Sequence, residues 1–173
     1  MTGPDAKIFF FINKGCSNTF FDHAMPLITF IGDGKFVAAL AILLVIIIPK
    51  PKKIAAILLF AGLVVSHFAV HTLKNIFARP RPFMALENVN LLVRELDKSH
   101  SFPSGHATLA FMAAAVLANY FKRGYIFFIA AAAVAVSRVY VGVHYASDVI
   151  AGALLGAAIG YSLVYAVKKV RRE

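Results

Sequence analysis

Long apolar stretches constrain this chain more than any other feature. Hydrophobic residues make up 60% of it and charged residues only 15%, which is more apolar and less charged than an ordinary soluble domain. Short polar segments separate six apolar stretches, at residues 17–31, 36–48, 54–78, 104–121, 125–137 and 147–167. The sequence therefore predicts an all-α fold, a polytopic membrane bundle of six transmembrane helices.

The N-terminal residues are expected to lie at the membrane interface. Several of the six stretches are shorter than the ~20 residues that cross a hydrocarbon core comfortably, so flanking residues or a thinned bilayer must accommodate them. Residues 7–13 carry three consecutive phenylalanines beside Lys7 and Lys14, a pattern typical of an interfacial amphipathic helix. No small-residue cleavage site follows, so we do not interpret this segment as a signal peptide. Without repeats or linkers, residues 1–173 are expected to form a single domain.

The basic residues predict an orientation. If six helices alternate sides, eleven of the 18 Lys and Arg residues fall on one face: Lys7, Lys14, Lys50, Lys52, Lys53, Lys122, Arg123, Lys168, Lys169, Arg171 and Arg172. The positive-inside rule then places both termini in the cytoplasm. The net charge of +10 is explained by this topology and by anionic lipid headgroups, rather than by nucleic-acid binding.

Three short polar segments carry groups suited to phosphate chemistry. They are Lys74 with Arg81 and Pro82; Pro103, Ser104, Gly105 and His106; and Ser137, Arg138, His144 and Asp148. Lysine and arginine donate charge-assisted hydrogen bonds to a tetrahedral anion, and histidine transfers protons or attacks as a nucleophile. In a six-helix topology all three segments meet at the outer face, so they predict a phosphate-cleaving site there.

The spacing of these motif segments, K-x6-RP, PSGH and SR-x5-H-x3-D, resembles the three-part signature of the type 2 phosphatidic acid phosphatase superfamily. All three parts are present in order, over residues 74–148. The resemblance implies a metal-independent phosphatase without a cofactor, similar to the small bacterial membrane enzymes of the family. It implies a lipid phosphate or diphosphate substrate, with undecaprenyl diphosphate, lipid A 1-phosphate and phosphatidylglycerol phosphate as candidates. The outer position predicted from the basic residues favours the first two. No residue selects among them.

The resemblance also implies a role for each motif residue. His144 is the nucleophile that forms a phosphohistidine, Asp148 orients it, and His106 protonates the leaving group and then activates water. The phosphate is bound by Lys74, Arg81, Ser104, Gly105 and Arg138. The residues themselves agree. If the last helix begins near His144, a spacing of four places His144 and Asp148 on one side of it. Ser104 and Gly105 begin a helix whose N–H groups suit a phosphate.

Two further patterns leave alternatives open. His67 and His71 lie four residues apart on the helix that ends near Lys74, so they could form a pair of zinc ligands. We favour a role in polar packing beside the site, because that helix carries no carboxylate or cysteine to complete a metal site. Glycines recur at every fourth position at Gly152, Gly156 and Gly160. This spacing favours close packing within the bundle over a dimer seam.

Two competing functions remain to be weighed. A transporter or channel for an anionic solute requires polar residues along a path through the bundle, whereas these cations cluster at one membrane depth. A haloperoxidase that holds vanadate in the same pocket belongs to a soluble branch of the family, which the hydropathy of this chain contradicts. Among the acidic residues, Asp33 is expected to be a turn residue, and Glu87, Glu95 and Asp97 are expected to be solvated.

Overall fold

A computed structural model describes residues 3–93 and 99–171, which contain helices and no strands. Glu95, Asp97 and Arg172, named above, lie outside this part of the chain. Its α-helices are α1 (Pro4–Phe10), α2 (Thr19–Phe30), α3 (Gly34–Ile47), α4 (Lys53–Phe77), the single turn α5 (Pro82–Ala85), α6 (Gly105–Tyr120), α7 (Tyr125–Tyr140) and α8 (Ala146–Val170). The six longer helices lie where the six apolar stretches predicted helices.

Polar residues set the helix boundaries. The side chains of Asn18, Asp33 and Ser104 precede α2, α3 and α6, and each accepts a hydrogen bond from a backbone N–H of the first turn. Such caps satisfy donors that have no partner inside the helix. Helix α4 ends at Phe77, and the next residue, Ala78, adopts a left-handed conformation with φ of 44°. The chain then turns into the loop that carries Arg81.

Helix α6 forms the centre of the bundle and packs against α4, α7 and α8. Its contact with α8 is close because glycines face it: a Cβ atom added at Gly152 would lie 2.6 Å from the Ser104 carbonyl oxygen, and one at Gly160 would lie 2.7 Å from that of Met112. The prediction that the glycine repeat mediates packing within the bundle is confirmed.

The two ends of the bundle differ chemically. At one end the Ser104 N–H donates to the Asp148 carbonyl at 3.0 Å, which joins the starts of α6 and α8. At the other end Lys168 donates to Asn119 at 2.9 Å, and the Lys52 ammonium lies 5.4 Å from the Phe121 ring centroid. The basic clusters are therefore at the opposite end from the motif segments.

Helices α2 and α3 differ from the prediction of two separate spans. They are joined by a bend of 57°, and the described residues contain two helices, beginning at Lys53 and Ala146, that are long and apolar enough to cross a membrane, or three if the bent pair is one span. Helix α2 begins at the motif end, where Asn18 N–H donates to the Tyr140 hydroxyl at 3.2 Å. Since the chain bends rather than reverses, the pair runs once from that end to the other.

This course also changes the expected position of the N-terminus. Helix α1 packs at the motif end, where Asp5 accepts a hydrogen bond from the Ser147 N–H at 3.1 Å. Phe9 is fully buried there, whereas Phe11 is 70% exposed. The described ends of the chain thus lie at opposite ends of the bundle, and the prediction that both termini share one side does not fit this geometry.

Candidate active site

The structure brings the predicted site residues together at one end of the bundle. Helix α4 and the loop after it supply Lys74 and Arg81, and helix α7 supplies Arg138. His144 lies in the short connection between α7 and α8, and Asp148 lies in the first turn of α8. Five of the predicted residues are buried: Arg81, Ser104, Arg138, His144 and Asp148. These five polar side chains are therefore enclosed by several helices rather than exposed on the surface of the bundle.

His144 and Asp148 form the centre of the site. The Nδ1 atom of His144 lies 3.5 Å from Asp148 Oδ2, and their side chains are 2% and 0% exposed. The same carboxylate oxygen accepts hydrogen bonds from the Tyr145 N–H at 2.9 Å and from the Ser101 hydroxyl. With Nδ1 facing the carboxylate, the ring presents Nε2 on its other side, and this nitrogen is the one able to attack an electrophile.

The surroundings of His144 favour its neutral form. Burial lowers the pKa of the imidazole below its ordinary value, the hydrogen bond with Asp148 raises it, and the charges of Arg138 and Arg81 lower it, so that the net shift is downward. A neutral imidazole has an available lone pair, whereas an imidazolium has none. His144 is therefore in the protonation state that a nucleophile requires.

Three cations surround the two motif histidines. The charges of Arg138 and Arg81 act on both His106 and His144, and that of Lys74 acts on His106. Hydrogen bonds fix their side chains as follows: Lys74 Nζ to Ser99 Oγ at 2.8 Å, Arg81 Nε to Ser99 O at 2.8 Å, and Arg138 Nη1 to Thr29 Oγ1 at 3.1 Å. Held donors of this kind suit a tetrahedral anion.

The start of α6 completes the site with backbone dipoles. Ser104 caps this helix, so its side chain already has a structural task, and Gly105 is the first helical residue. A helix start carries partial positive charge. His106 follows, with a side chain that is 27% exposed and an Nε2 atom 4.0 Å from Asp33 Oδ2. Asp33 caps α3, so it is more than the turn residue we expected.

Sequence reasoning missed three residues that support Asp148. Arg79 Nη1 donates to Asp148 Oδ1 at 2.7 Å, and its Nη2 donates to Asp5 Oδ2 at 2.7 Å. Ser101 donates to the other oxygen of Asp148. The position of Arg79, two residues before the motif residue Arg81, could have indicated that it lies near the site. Asp5 lies 74 residues away from Arg79, and nothing in the sequence around it indicates a role at the site.

Asp5 is held in its ionised form. Burial raises the pKa of this carboxyl group, but hydrogen bonds from Ser147 and Arg79 lower it by more, so that the pKa lies below its ordinary value. Because the carboxylate stays charged at neutral pH, it balances the Arg79 guanidinium from the side that Asp148 does not occupy.

His67 and His71 lie next to this site rather than in it. Their rings stack with centroids 6.3 Å apart, and they line a cleft that reaches Lys74. Among residues 3–93 and 99–171, no group of three or more His, Cys, Asp or Glu side chains is arranged to hold a metal ion.

Comparison with known proteins gives a consistent result. A family model described as the PAP2 superfamily matches residues 54–172. The bacitracin transport permease protein BcrC of Bacillus licheniformis is 35% identical over 61% of this chain and 52% of its own length. An undecaprenyl-diphosphatase of Sulfolobus acidocaldarius is 35% identical over 68% of this chain and 57% of its own length. The chain thus spans little more than half the length of these two relatives.

A solved structure resembles the whole bundle. The crystal structure of Aquifex aeolicus LpxE superposes with a TM-score of 0.82 at 32% sequence identity, covering 92% of this chain and 94% of that one. The likeness therefore includes the N-terminal helices, which precede the residues that the family model matches.

Proposed function

This chain belongs to the PAP2 superfamily, and from that premise we propose that it is an integral-membrane lipid phosphatase. The observation that carries the proposal is the buried His144–Asp148 pair, with Nδ1 and Oδ2 3.5 Å apart and the charges of Arg138 and Arg81 acting on the imidazole. A neutral, oriented imidazole beside fixed cations is what nucleophilic attack on a phosphate ester requires.

The reaction proceeds in two balanced steps. In the first, His144 Nε2 attacks phosphorus, a P–N bond forms, and the P–O bond to the leaving group breaks as His106 donates its proton to the departing oxygen. In the second, His106 takes a proton from water, the hydroxide attacks phosphorus, and the P–N bond breaks to release inorganic phosphate and neutral His144. Asp148 holds the ring and stabilises the positive charge that it gains in the first step.

The cations supply the charge stabilisation of the transition state. Phosphoryl transfer spreads charge over three equatorial oxygens, and enzymes counter that charge with metal ions or with Lys and Arg side chains. Here Lys74, Arg81 and Arg138, together with the N-terminus of α6 at Gly105, take that role. We therefore propose a metal-independent mechanism that requires no cofactor.

The proposed topology has five crossings, made by the bent pair α2–α3 and by α4, α6, α7 and α8. The end opposite the site carries a cluster of basic residues, Lys50, Lys52, Lys53, Lys122, Arg123, Lys168, Lys169 and Arg171, so the positive-inside rule places it in the cytoplasm. The active site then faces the exterior or periplasm of the cytoplasmic membrane. In this topology the C-terminus is cytoplasmic, but the N-terminal helix α1 lies outside, beside the site.

The substrate class follows from this position. A site at the outer face of the membrane reaches lipid phosphates or diphosphates of the outer leaflet, and the candidates remain undecaprenyl diphosphate, lipid A 1-phosphate and phosphatidylglycerol phosphate. The similarity to a protein named undecaprenyl-diphosphatase favours the first. The partners of the protein are thus its lipid substrate and the bilayer, with no role for nucleic acid.

The second candidate function is transport of an anionic solute, because the relative BcrC is named a transport permease. A permeation path would need polar groups through the middle of the bundle. The buried middle of α6 is apolar instead, with Met112, Ala113, Val116 and Leu117 in the core. This observation favours the phosphatase.

Phosphate release from a panel of purified lipid phosphates, with and without a chelator, tests the proposal. We expect release from at least one lipid by the wild-type protein in detergent, and none by His144→Ala at equal concentration. Absence of release from every lipid, together with uptake of phosphate into proteoliposomes, would replace the phosphatase with the transporter.

A further inference from the structure

A cleft of about 310 Å³ opens beside the phosphate site, between α4 and the start of α6. One end is polar and contains Lys74 and His71. The other end is apolar and contains Leu63 and Leu109. A cavity graded in this way matches an amphiphile whose polar group lies near the catalytic residues and whose hydrocarbon leads away from them.

Ser66 gives the cleft an unsatisfied polar group. Its side chain lines the cleft, is fully buried, and has no hydrogen-bond partner for Oγ among the described residues. A buried hydroxyl without a partner is destabilising, and native proteins contain few of them. A polar ligand group in the cleft would satisfy this hydroxyl.

His71 presents an oriented donor to the same space. Its Nδ1 lies 3.3 Å from the side-chain amide nitrogen of Asn75. With Nδ1 beside the Asn75 amide, Nε2 is the ring nitrogen available to a ligand. His67 stacks on His71 with an angle of 26° between the ring planes, which restrains both rings.

The charge and the spacing of the lining residues favour an anion. None of the ten described residues that line the cleft is acidic. Lys74, His71 and His67 follow one another at helical steps of three and four residues, so that they form one row along α4. A second anionic group, one turn below the phosphate held by Lys74, would face His71 and Ser66.

We propose that this cleft binds the phosphate that stays on the lipid after cleavage, with His71 and Ser66 as its donors, so that the enzyme prefers lipid diphosphates to lipid monophosphates. The inference rests on the proposed phosphatase function and narrows its substrate class. The terminal phosphate is attacked by His144, the second phosphate occupies the polar part of the cleft, and the hydrocarbon passes Leu63 and Leu109.

The test compares a prenyl diphosphate with the prenyl monophosphate of the same chain length. We expect the wild-type kcat/KM to be higher for the diphosphate. His71→Leu and Ser66→Ala should each lower kcat/KM for the diphosphate about tenfold, mainly through KM, because each removes a hydrogen bond to a charged group. The value for the monophosphate should change by less than about twofold, since the monophosphate makes no such bond. His23→Leu, at an exposed histidine of α2, is the matched control and should leave the preference unchanged.

Each outcome decides between named explanations. Equal losses for both substrates, or no loss for either, would overturn the diphosphate site while leaving the phosphatase intact. If His71→Leu does not fold, Ser66→Ala still decides, because a merely unsatisfied hydroxyl would give a more stable variant with unchanged selectivity. Failure of the wild-type protein to release phosphate from either lipid would overturn the proposed function itself.

Discussion

Arg79 Nη1 lies 2.7 Å from Asp148 Oδ1, the carboxylate oxygen that does not face His144. The other oxygen, Oδ2, accepts from the Tyr145 N–H and lies beside the imidazole. Both oxygens of Asp148 are thereby fixed, and the carboxylate cannot rotate away from His144. Asp5 in turn holds Arg79 at 2.7 Å. The geometry of the proposed catalytic pair thus depends on a residue of α1.

Replacing Arg79 tests this dependence. Arg79→Met keeps much of the side-chain length but removes the charge-assisted hydrogen bonds to Asp148 and Asp5, so kcat should fall by about ten- to a hundredfold with a smaller change in KM. Asp5→Asn should have a weaker effect in the same direction. Steady-state kinetics on one lipid phosphate, with thermal unfolding measured in parallel, gives the comparison. Arg123→Met, at the opposite end of the bundle, is the matched control; an equal loss in that variant would assign the effect to charge alone.

Removing the proposed nucleophile should abolish turnover. His144→Ala leaves no group able to form the covalent intermediate, and we expect no phosphate release above background from a folded protein. His106→Ala should also be severely impaired, and least so for substrates whose leaving group needs no protonation. Mass spectrometry of acid-free quenched samples should detect a phosphorylated peptide containing His144 in the wild-type protein. Near-normal release by His144→Ala would refute the mechanism.

Activity should survive an excess of EDTA, because Lys74, Arg81 and Arg138 supply the positive charge that metal ions supply in many phosphatases. Orthovanadate should inhibit competitively, since it accepts a fifth ligand and His144 is placed to supply it. Initial rates with and without EDTA, and at several vanadate concentrations, check both statements. If EDTA abolished the activity and added zinc restored it, the result would instead support His67 and His71 as metal ligands.

The native cysteine tests the topology. Cys16 is exposed and lies at the active-site end, next to Asn18, which bonds to Tyr140. A membrane-impermeant thiol reagent should therefore modify Cys16 in intact cells, whereas six separate spans would place it in the cytoplasm and protect it. Cys16→Ala/Lys169→Cys should be modified only after the membrane is broken. Protection of Cys16 in intact cells, followed by labelling after lysis, would restore the six-span count.

The glycine face of α8 should tolerate no side chain. Gly156 is buried against the backbone of Thr108 on α6, so Gly156→Leu should lower the unfolding free energy by more than about 2 kcal/mol or prevent folding. Ala158→Leu adds a similar volume at an exposed position of α8 and should be neutral. Thermal unfolding in detergent compares the two variants. Equal stability of the two variants would mean that α6 and α8 do not pack closely at Gly156.

The convergence of the motif residues was predictable, because polar segments of an apolar membrane chain lie mainly at the two ends of the helix bundle. Lys74, Arg138 and Asp148 lie near helix ends, and helix ends collect at the two faces of a bundle. The course of α2 and α3 was not predictable. In the sequence, Asp33 and its flanking glycines are equally compatible with a reversal of the chain direction and with a bend between α2 and α3. In the structure, Gly32 packs against Val134 and the His106 carbonyl at the bend of 57°.

The bond between Asp5 and Ser147 spans 142 residues, and it has a consequence for biosynthesis. Helix α1 leaves the ribosome well before its docking partner at the start of α8, because α8 lies far downstream in the chain. Until α8 is made, the nascent chain therefore lacks both Ser147, which holds Asp5, and the proposed catalytic residue Asp148. On the proposed mechanism, hydrolysis begins only when α8 has entered the bilayer, so insertion of α8 is a requirement for the proposed lipid dephosphorylation.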